Sequence, residues 1–331
     1  MGNLRFPFLF HFMEIGDYRL EVVPDTEFWL DGGAMFGVVP RALWQRLTPP
    51  DEKNRIRLTM NCVFIDTGRE KILIDTGIGE KWSEKEVEIY GIKRTRPFRE
   101  SLFAIARCRP EDITIVVNTH LHFDHAGGNT LDSGQSKVDG EHKGRNATPA
   151  PRGHPEADRA VMERTGDLQK PARSKSENPI PQFPNARYLV SKNEFSEAED
   201  PHERERASYL PENWRPMQET GQLELMPDNY EAVPGLRLQT ERGHSPTMQT
   251  WRLDMGGQTV YGFADLIPTR HHLPLPWIMG YDLEPALTLE YKKRTLPQAV
   301  SERWLCLFYH DPEMPLCRLT EENGKFLAIA I

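Results

Sequence analysis

The sequence has few cysteines, no long apolar runs and no excess of positive charge. Its 331 residues include four cysteines, Cys62, Cys108, Cys306 and Cys317, none in a close pair. That spacing excludes a dense disulfide framework and offers no structural zinc pattern, so reduced, partly buried thiols are expected. No stretch approaches the ~20 apolar residues of a membrane span. The apolar start is short, broken by Pro7 and His11, and lacks a small-residue cleavage site, so it does not read as a signal peptide. Phe6 stands where a myristoylation motif after Gly2 needs Ser or Thr. Lys and Arg number 41 against 49 Asp and Glu, a net charge of −8, which argues against a phosphate-backbone partner. The expectation is a soluble cytoplasmic protein with neither membrane nor nucleic acid as partner.

What is present reads as a layered α/β sandwich. Strands are expected over 18–23, 59–66, 112–118, 187–191, 235–240, 249–253, 258–264 and 304–309, with a last edge strand over 325–331. Residues 63–75 read as a hairpin turning at Thr67, Gly68 and Arg69. Helices are expected over 101–107 and 285–293. From about 132 to 179 apolar residues thin out while Gly, Pro, Ser and both signs of charge accumulate. That stretch reads as a polar, mobile insertion, with at most a short helix over 154–169, in a single domain of residues 1–331. His142 and His154 fall inside it and are expected in solvent.

The chemistry concentrates in Thr119-His120-Leu121-His122-Phe123-Asp124-His125-Ala126-Gly127-Gly128, directly after a buried strand. Imidazole and carboxylate are the ligands that borderline divalent metals prefer. Alternation in an extended loop lets His120 and His122 point the same way, and the chain must then turn for Asp124 and His125 to reach a neighbouring point. Gly127 and Gly128 permit the tight backbone beyond. Three distant positions put further ligand types at strand ends: His244 in Gly243-His244-Ser245-Pro246, Asp265 after Val260 to Ala264, and His310 after Trp304 to Tyr309.

Taken together, these motifs resemble the metallo-β-lactamase superfamily, in particular the branch of quorum-quenching lactonases and methyl parathion hydrolase. Asp265-Leu266-Ile267-Pro268-Thr269 and Phe183-Pro184-Asn185-Ala186 are similar to that branch as well. The resemblance implies a four-layer αββα sandwich and two divalent metal positions. His120, His122 and His244 would hold one, Asp124, His125 and His310 the other, and Asp265 would bridge them. Zinc is the first choice, and manganese, iron or cobalt suit the same donors. Asp75 matches a family aspartate that orients a ligand histidine, although an ordinary turn residue is an equal reading. Asp124 or Asp265 would carry a proton from a bridging hydroxide to the leaving group of a lactone or carboxylic ester.

The sequence departs from the pattern in two places. Thr247 and Met248 follow Gly243-His244-Ser245-Pro246 where the family often has glycine, and no tyrosine follows Asp265 as in some lactonases. His271 and His272, with Trp277, Met279 and Tyr281, could line a pocket, but a packing loop is the simpler reading. Alternatives are a phosphotriester hydrolase, a glyoxalase II-like thioesterase and a non-catalytic metal-binding protein. The thioesterase family carries a helical domain after its last ligand, where only residues 311–331 follow here. The expected partner is a small-molecule substrate, with a homodimer as an open option.

Overall fold

A twelve-residue strand, Arg55–Asp66, is buried without interruption from Leu58 to Ile65. An apolar run of this kind forms a strand covered on both faces. A computed structural model describes residues 13–133 and 179–331 of the chain. Its strands are β1 (Met13–Ile15), β2 (Tyr18–Asp31), β3 (Arg55–Asp66), β4 (Lys71–Ile74), β5 (Ile115–Val117), β6 (Thr130–Asp132), β7 (Pro179–Pro181), β8 (Arg187–Ser191), β9 (Leu223–Met226), β10 (Asn229–Val233), β11 (Leu236–Thr240), β12 (Gln249–Met255), β13 (Gln258–Gly262), β14 (Leu305–Leu307), β15 (Leu316–Glu322) and β16 (Lys325–Ile329).

Two seven-stranded sheets result, ordered β1-β2-β3-β4-β5-β8-β9 and β10-β11-β12-β13-β14-β15-β16. In the first, β1 to β4 form an antiparallel meander and β4, β5, β8 and β9 run parallel. In the second, all pairs are antiparallel except β13 with β14. Buried side chains of both sheets join in one core, including Phe64, Val116, Trp251 and Leu307. Helices pack on each sheet: Phe98–Ala106 on β2, Lys192–Glu199 on β8 and Pro285–Ser301 on β15. This is the αββα sandwich. The sheets are tied near β3, where Asn61 Nδ2 donates to the carbonyls of Phe308 and Asp311.

Most expected elements are present with shifted ends. The hairpin turns where expected, Thr67 N donating to Glu70 O. Residues 110–112 form a 3-10 turn, so the strand expected over 112–118 shortens to β5. The last helix, expected to stop at 293, runs through Pro297 to Ser301 because Thr288, Tyr291, Lys292, Thr295, Leu296 and Ala299 continue one buried stripe. Strands β1, β9, β10 and β15 were not expected. Asp132 and Pro179, taken as the ends of the insertion, pair across a small ribbon, β6 with β7. Residues 134–178, with His142, His154 and the short helix expected there, lie outside the described residues. Among the described residues no helix is long and apolar enough to cross a membrane.

Candidate metal centre

The carboxyl ends of β4, β5, β11, β13 and β14 each lead into a loop that carries a candidate residue, the crevice where sheet proteins gather ligands. After β5 the chain bends at Thr119 and is extended again at His122, then Phe123–Ala126 makes one helical turn, with His125 N and Ala126 N both donating to His122 O. That turn redirects Asp124 and His125, as the spacing required. The glycines behind it serve a purpose the sequence reading put differently. Gly127 has ordinary right-handed backbone, φ −59°. A Cβ on it would sit 2.2 Å from Ile78 O, and one on Gly128 2.1 Å from Thr76 O. Both are needed for close approach of two loops, not for a left-handed conformation.

The structure gathers all seven candidates into two adjoining groups, His120–His122–His244 and Asp124–His125–Asp265–His310, the ligand atoms of each lying within 4.8 Å of one another. Asp265 faces both. Its Oδ1 lies 3.1 Å from His125 Nε2 and 3.1 Å from His310 Nε2, and its Oδ2 lies 3.5 Å from His244 Nε2. Asp124 Oδ2 is 3.6 Å from His310 Nε2. His122 Nδ1 and His244 Nε2 meet at 3.2 Å. The residue before Asp265, Ala264, has φ +47°, a left-handed conformation that an L side chain adopts at a cost.

Behind this layer the other ring nitrogens of four of the five histidines are held from outside. His125 Nδ1 lies 2.9 Å from Asp75 Oδ2, and Asp75 also accepts from Thr119 N and Thr119 Oγ1, each at 2.8 Å. Asp75 is therefore an orienting residue and not a plain turn residue. His120 Nδ1 is 3.1 Å from Thr119 Oγ1, His310 Nδ1 3.0 Å from Thr59 O, and His244 Nδ1 3.1 Å from Asp282 Oδ1. Glu194 accepts from Leu121 N at 2.7 Å and from Thr247 Oγ1 at 2.5 Å, joining the β5 loop to the His244 loop. Thr247, where the family often has glycine, thus supplies a side-chain tie.

Burial pushes His120 well below the usual histidine range, and His125 and His122 add to it. Burial and His244 do the same to His122, so both rings are neutral and present lone pairs. Burial opposes charge on His125, but the carboxylates of Asp265 and Asp75 outweigh it and raise its pKa well above the usual value. Burial likewise opposes charge on Asp265, and His125 and His310 overcome it, holding the carboxyl well below its usual range. His244 is carried up to about 9 against its burial by the hydrogen bond to Asp282 and the charge of Asp265.

This donor set fits divalent cations. His120 Nε2 is fully buried and has no hydrogen-bond partner, an orphan that a native interior tolerates only for a reason. With Nδ1–H of His244 given to Asp282, its Nε2 faces the Nδ1 of neutral His122 at 3.2 Å, a contact that a proton on either nitrogen or a cation bound by both satisfies. Imidazole and carboxylate donors in two groups with a shared aspartate suit borderline metals.

His271 and His272 stand apart. His272 is buried between Thr269 Oγ1 and Met35 O, and His271 lines a surface cleft with Trp29, Arg57 and Arg270. Trp277 packs edge-on against Phe36, whereas Tyr281 is exposed. Sequence reasoning missed Asp282, Glu194, Glu205 and Tyr209. None lies in a motif; each reaches the centre only through the fold.

Residues 56–300 match the Metallo-beta-lactamase superfamily. An N-acyl homoserine lactonase of Bacillus cereus is 22% identical over 281 residues, covering 78% of this chain and 84% of its own length. A solved structure of a probable metal-dependent hydrolase from Staphylococcus aureus superposes with a TM-score of 0.76 at 26% identity, over 96% of this chain and 99% of the other. AidC, a dizinc quorum-quenching lactonase solved in complex with a product, N-hexanoyl-L-homoserine, superposes with a TM-score of 0.69 at 19% identity, over 97% of both chains.

Proposed function

The chain belongs to the metallo-beta-lactamase superfamily, and we propose that it is a two-metal hydrolase of a small ester-type substrate, a lactone or a carboxylic ester. The carrying observation is the pair of buried ligand groups that share Asp265. His120, His122 and His244 would hold one cation, Asp124, His125 and His310 the other, and Asp265 both. Zinc suits these donors. Bound there, the cations supply a water acidic enough to act as hydroxide near neutral pH and polarise the substrate oxygen.

The chain's own residues do the rest. Asp265 has both oxygens turned toward histidines, whereas the contact of Asp124 with His310 is longer and its side chain is more exposed, 10% against 6%. Asp124 is thus the better carrier of a proton from the attacking water to the leaving oxygen. Phe123, between two candidate ligands in sequence, packs with Trp82 and Tyr90 at ring separations of 5.4 and 5.3 Å. These rings give the β5 loop an apolar flank suited to the hydrocarbon part of an ester. The lactonases among the relatives support the same substrate class.

The test is acid release in weak buffer from an acyl-homoserine lactone, an aryl ester, an aryl phosphotriester and a thioester, with metal-loaded and chelated protein. Lactone or ester turnover that disappears on chelation is the expected result. Preference for the phosphotriester would replace the ester reading. No turnover of any of the four by protein holding two metals would remove the catalytic one.

A further inference from the structure

Four of the five candidate histidines have the ring nitrogen that faces away from the centre held by an identified partner: Thr119, Asp75, Asp282 and the carbonyl of Thr59. The fifth is His122. Its Nδ1 faces His244 at 3.2 Å and so points into the centre. Its Nε2 points the other way, is buried, and makes no hydrogen bond. What it faces is Glu205, whose Oε2 lies 3.4 Å away. Glu205 is only 5% exposed and its oxygens make no hydrogen bond of good geometry, while burial and the adjoining Glu194 and Glu197 carboxyls push its pKa up to about 8. Two orphaned polar groups of complementary kind thus confront each other at just over hydrogen-bond length.

A carboxyl group buried without a well-formed hydrogen bond is a liability to the fold, so packing alone gives no reason for Glu205. Its backbone shows that the position is built. Glu205 N and Arg206 N both donate to His202 O, and Ser208 N donates to Glu205 O, closing a tight turn. That turn is anchored on the β5 loop itself: Phe123 N donates to Ser208 O at 2.8 Å, and His122 and Tyr209 form an isolated antiparallel bridge. The Tyr209 ring stands 4.6 Å from the His122 imidazole at 66°. Main chain on both sides therefore fixes the Glu205 backbone beside the far edge of His122, with its carboxyl 3.4 Å from Nε2. Glu194, the neighbouring buried glutamate, is already committed to Leu121 N and Thr247 Oγ1.

We propose that Glu205 is a positioning residue for the His120–His122–His244 group: its carboxyl oxygen accepts Nε2–H of His122, fixes that tautomer, and thereby presents the Nδ1 lone pair to a divalent cation. The pairing rests on the metal-centre reading above and deepens it. It parallels Asp75 behind His125 and Asp282 behind His244, and supports of this kind are worth tenfold to a hundredfold in metal affinity.

The experiment is a competitive chelator titration of zinc on the full chain, read as two binding steps, for the wild type, E205A and E205Q. Cobalt substitution reports the ligand field of each step, and the thermal midpoint of the metal-free proteins is recorded alongside. E205A is expected to weaken one step about tenfold to a hundredfold, to alter the cobalt spectrum of that step alone, and to leave the other step in place. Gln keeps an acceptor at the same position, so E205Q should recover most of the loss. Two unchanged steps in E205A would overturn the proposal. So would equal weakening of both steps, or a loss in both variants that tracks a lowered midpoint of the metal-free protein. A wild-type chain that takes up no zinc would instead bring down the metal-centre reading itself, before any variant is compared.

Discussion

Asp282 Oδ1 lies 3.1 Å from His244 Nδ1, and its Oδ2 accepts from Thr288 Oγ1 at 2.6 Å, so a threonine of the last long helix locks the carboxylate that locks the histidine. The chain separation of Asp282 and His244 is 38 residues. No motif links them; the loop between Asp265 and the helix brings them together. Replacing Asp282 by Ala frees the imidazole to rotate and removes the charge that favours lone-pair donation from Nε2. Metal affinity of the His120–His122–His244 group is expected to fall about tenfold to a hundredfold, measured by chelator competition on D282A. Unchanged affinity would show that packing alone orients His244.

Asp265 should behave differently, because it touches both groups. D265A removes the carboxylate that His125, His310 and His244 all face. Three buried imidazoles then lose their shared counter-charge, and uptake of both cations is expected to fail, with turnover at background. Metal content by elemental analysis, compared with D282A, separates the two effects. A D265A protein that still holds two metals and turns over ester would contradict the sharing of Asp265 between the groups.

The contrast between Asp265 and Asp282 also marks what the sequence made legible. All seven candidate ligands follow from donor types at the ends of apolar runs, a signal that survives without coordinates because strand ends define the crevice. The core strands β5 and β14 were visible as continuous apolar runs for the same reason. Strands β9 and β10 were not. Their burial pattern is mostly intermediate or exposed, as suits edge positions, and half-solvated edges carry little periodicity. Glu205, Asp282 and Tyr209 were invisible because acidic and aromatic residues in irregular segments are common, and only tertiary contacts distinguish these from the rest. Asp75 was ambiguous until its bonds to Thr119 and His125 were seen.

Lys292 holds the loop that delivers Asp282. Its side chain is fully buried, and Nζ donates to the carbonyls of His272, Pro274 and Trp277 at 2.6, 2.7 and 2.9 Å. Methionine fits the space but strands three carbonyls in the interior. K292M is expected to lose about 3 kcal/mol or more of stability, read from urea unfolding of the metal-free protein. A loss under about 1 kcal/mol would mean that water or a rearranged loop satisfies those carbonyls.

His272 gives the fold a measurable acid sensitivity. Its ring stacks on Phe36 at 4.6 Å with 2° between planes and bonds to Thr269 and Met35. Burial pushes its pKa down to about 3; the Met35 carbonyl opposes the shift and the charge of Lys292 adds to it. A histidine whose pKa is lower folded than unfolded binds its proton first in the unfolded chain. Stability is therefore unaffected by this group well above pH 6.5, falls as pH drops below that value, and levels off only near pH 3. The slope is about 1.4 kcal/mol per pH unit inside that window. Glutamine keeps a polar side chain there but does not titrate. The excess stability of the wild type over H272Q should shrink by about 2 kcal/mol between pH 7 and pH 5, measured by urea unfolding with chelator present throughout so that every other histidine contributes equally to both proteins. A difference independent of pH would show that His272 takes up its proton in the folded protein, and that the stack on Phe36 opens to admit it.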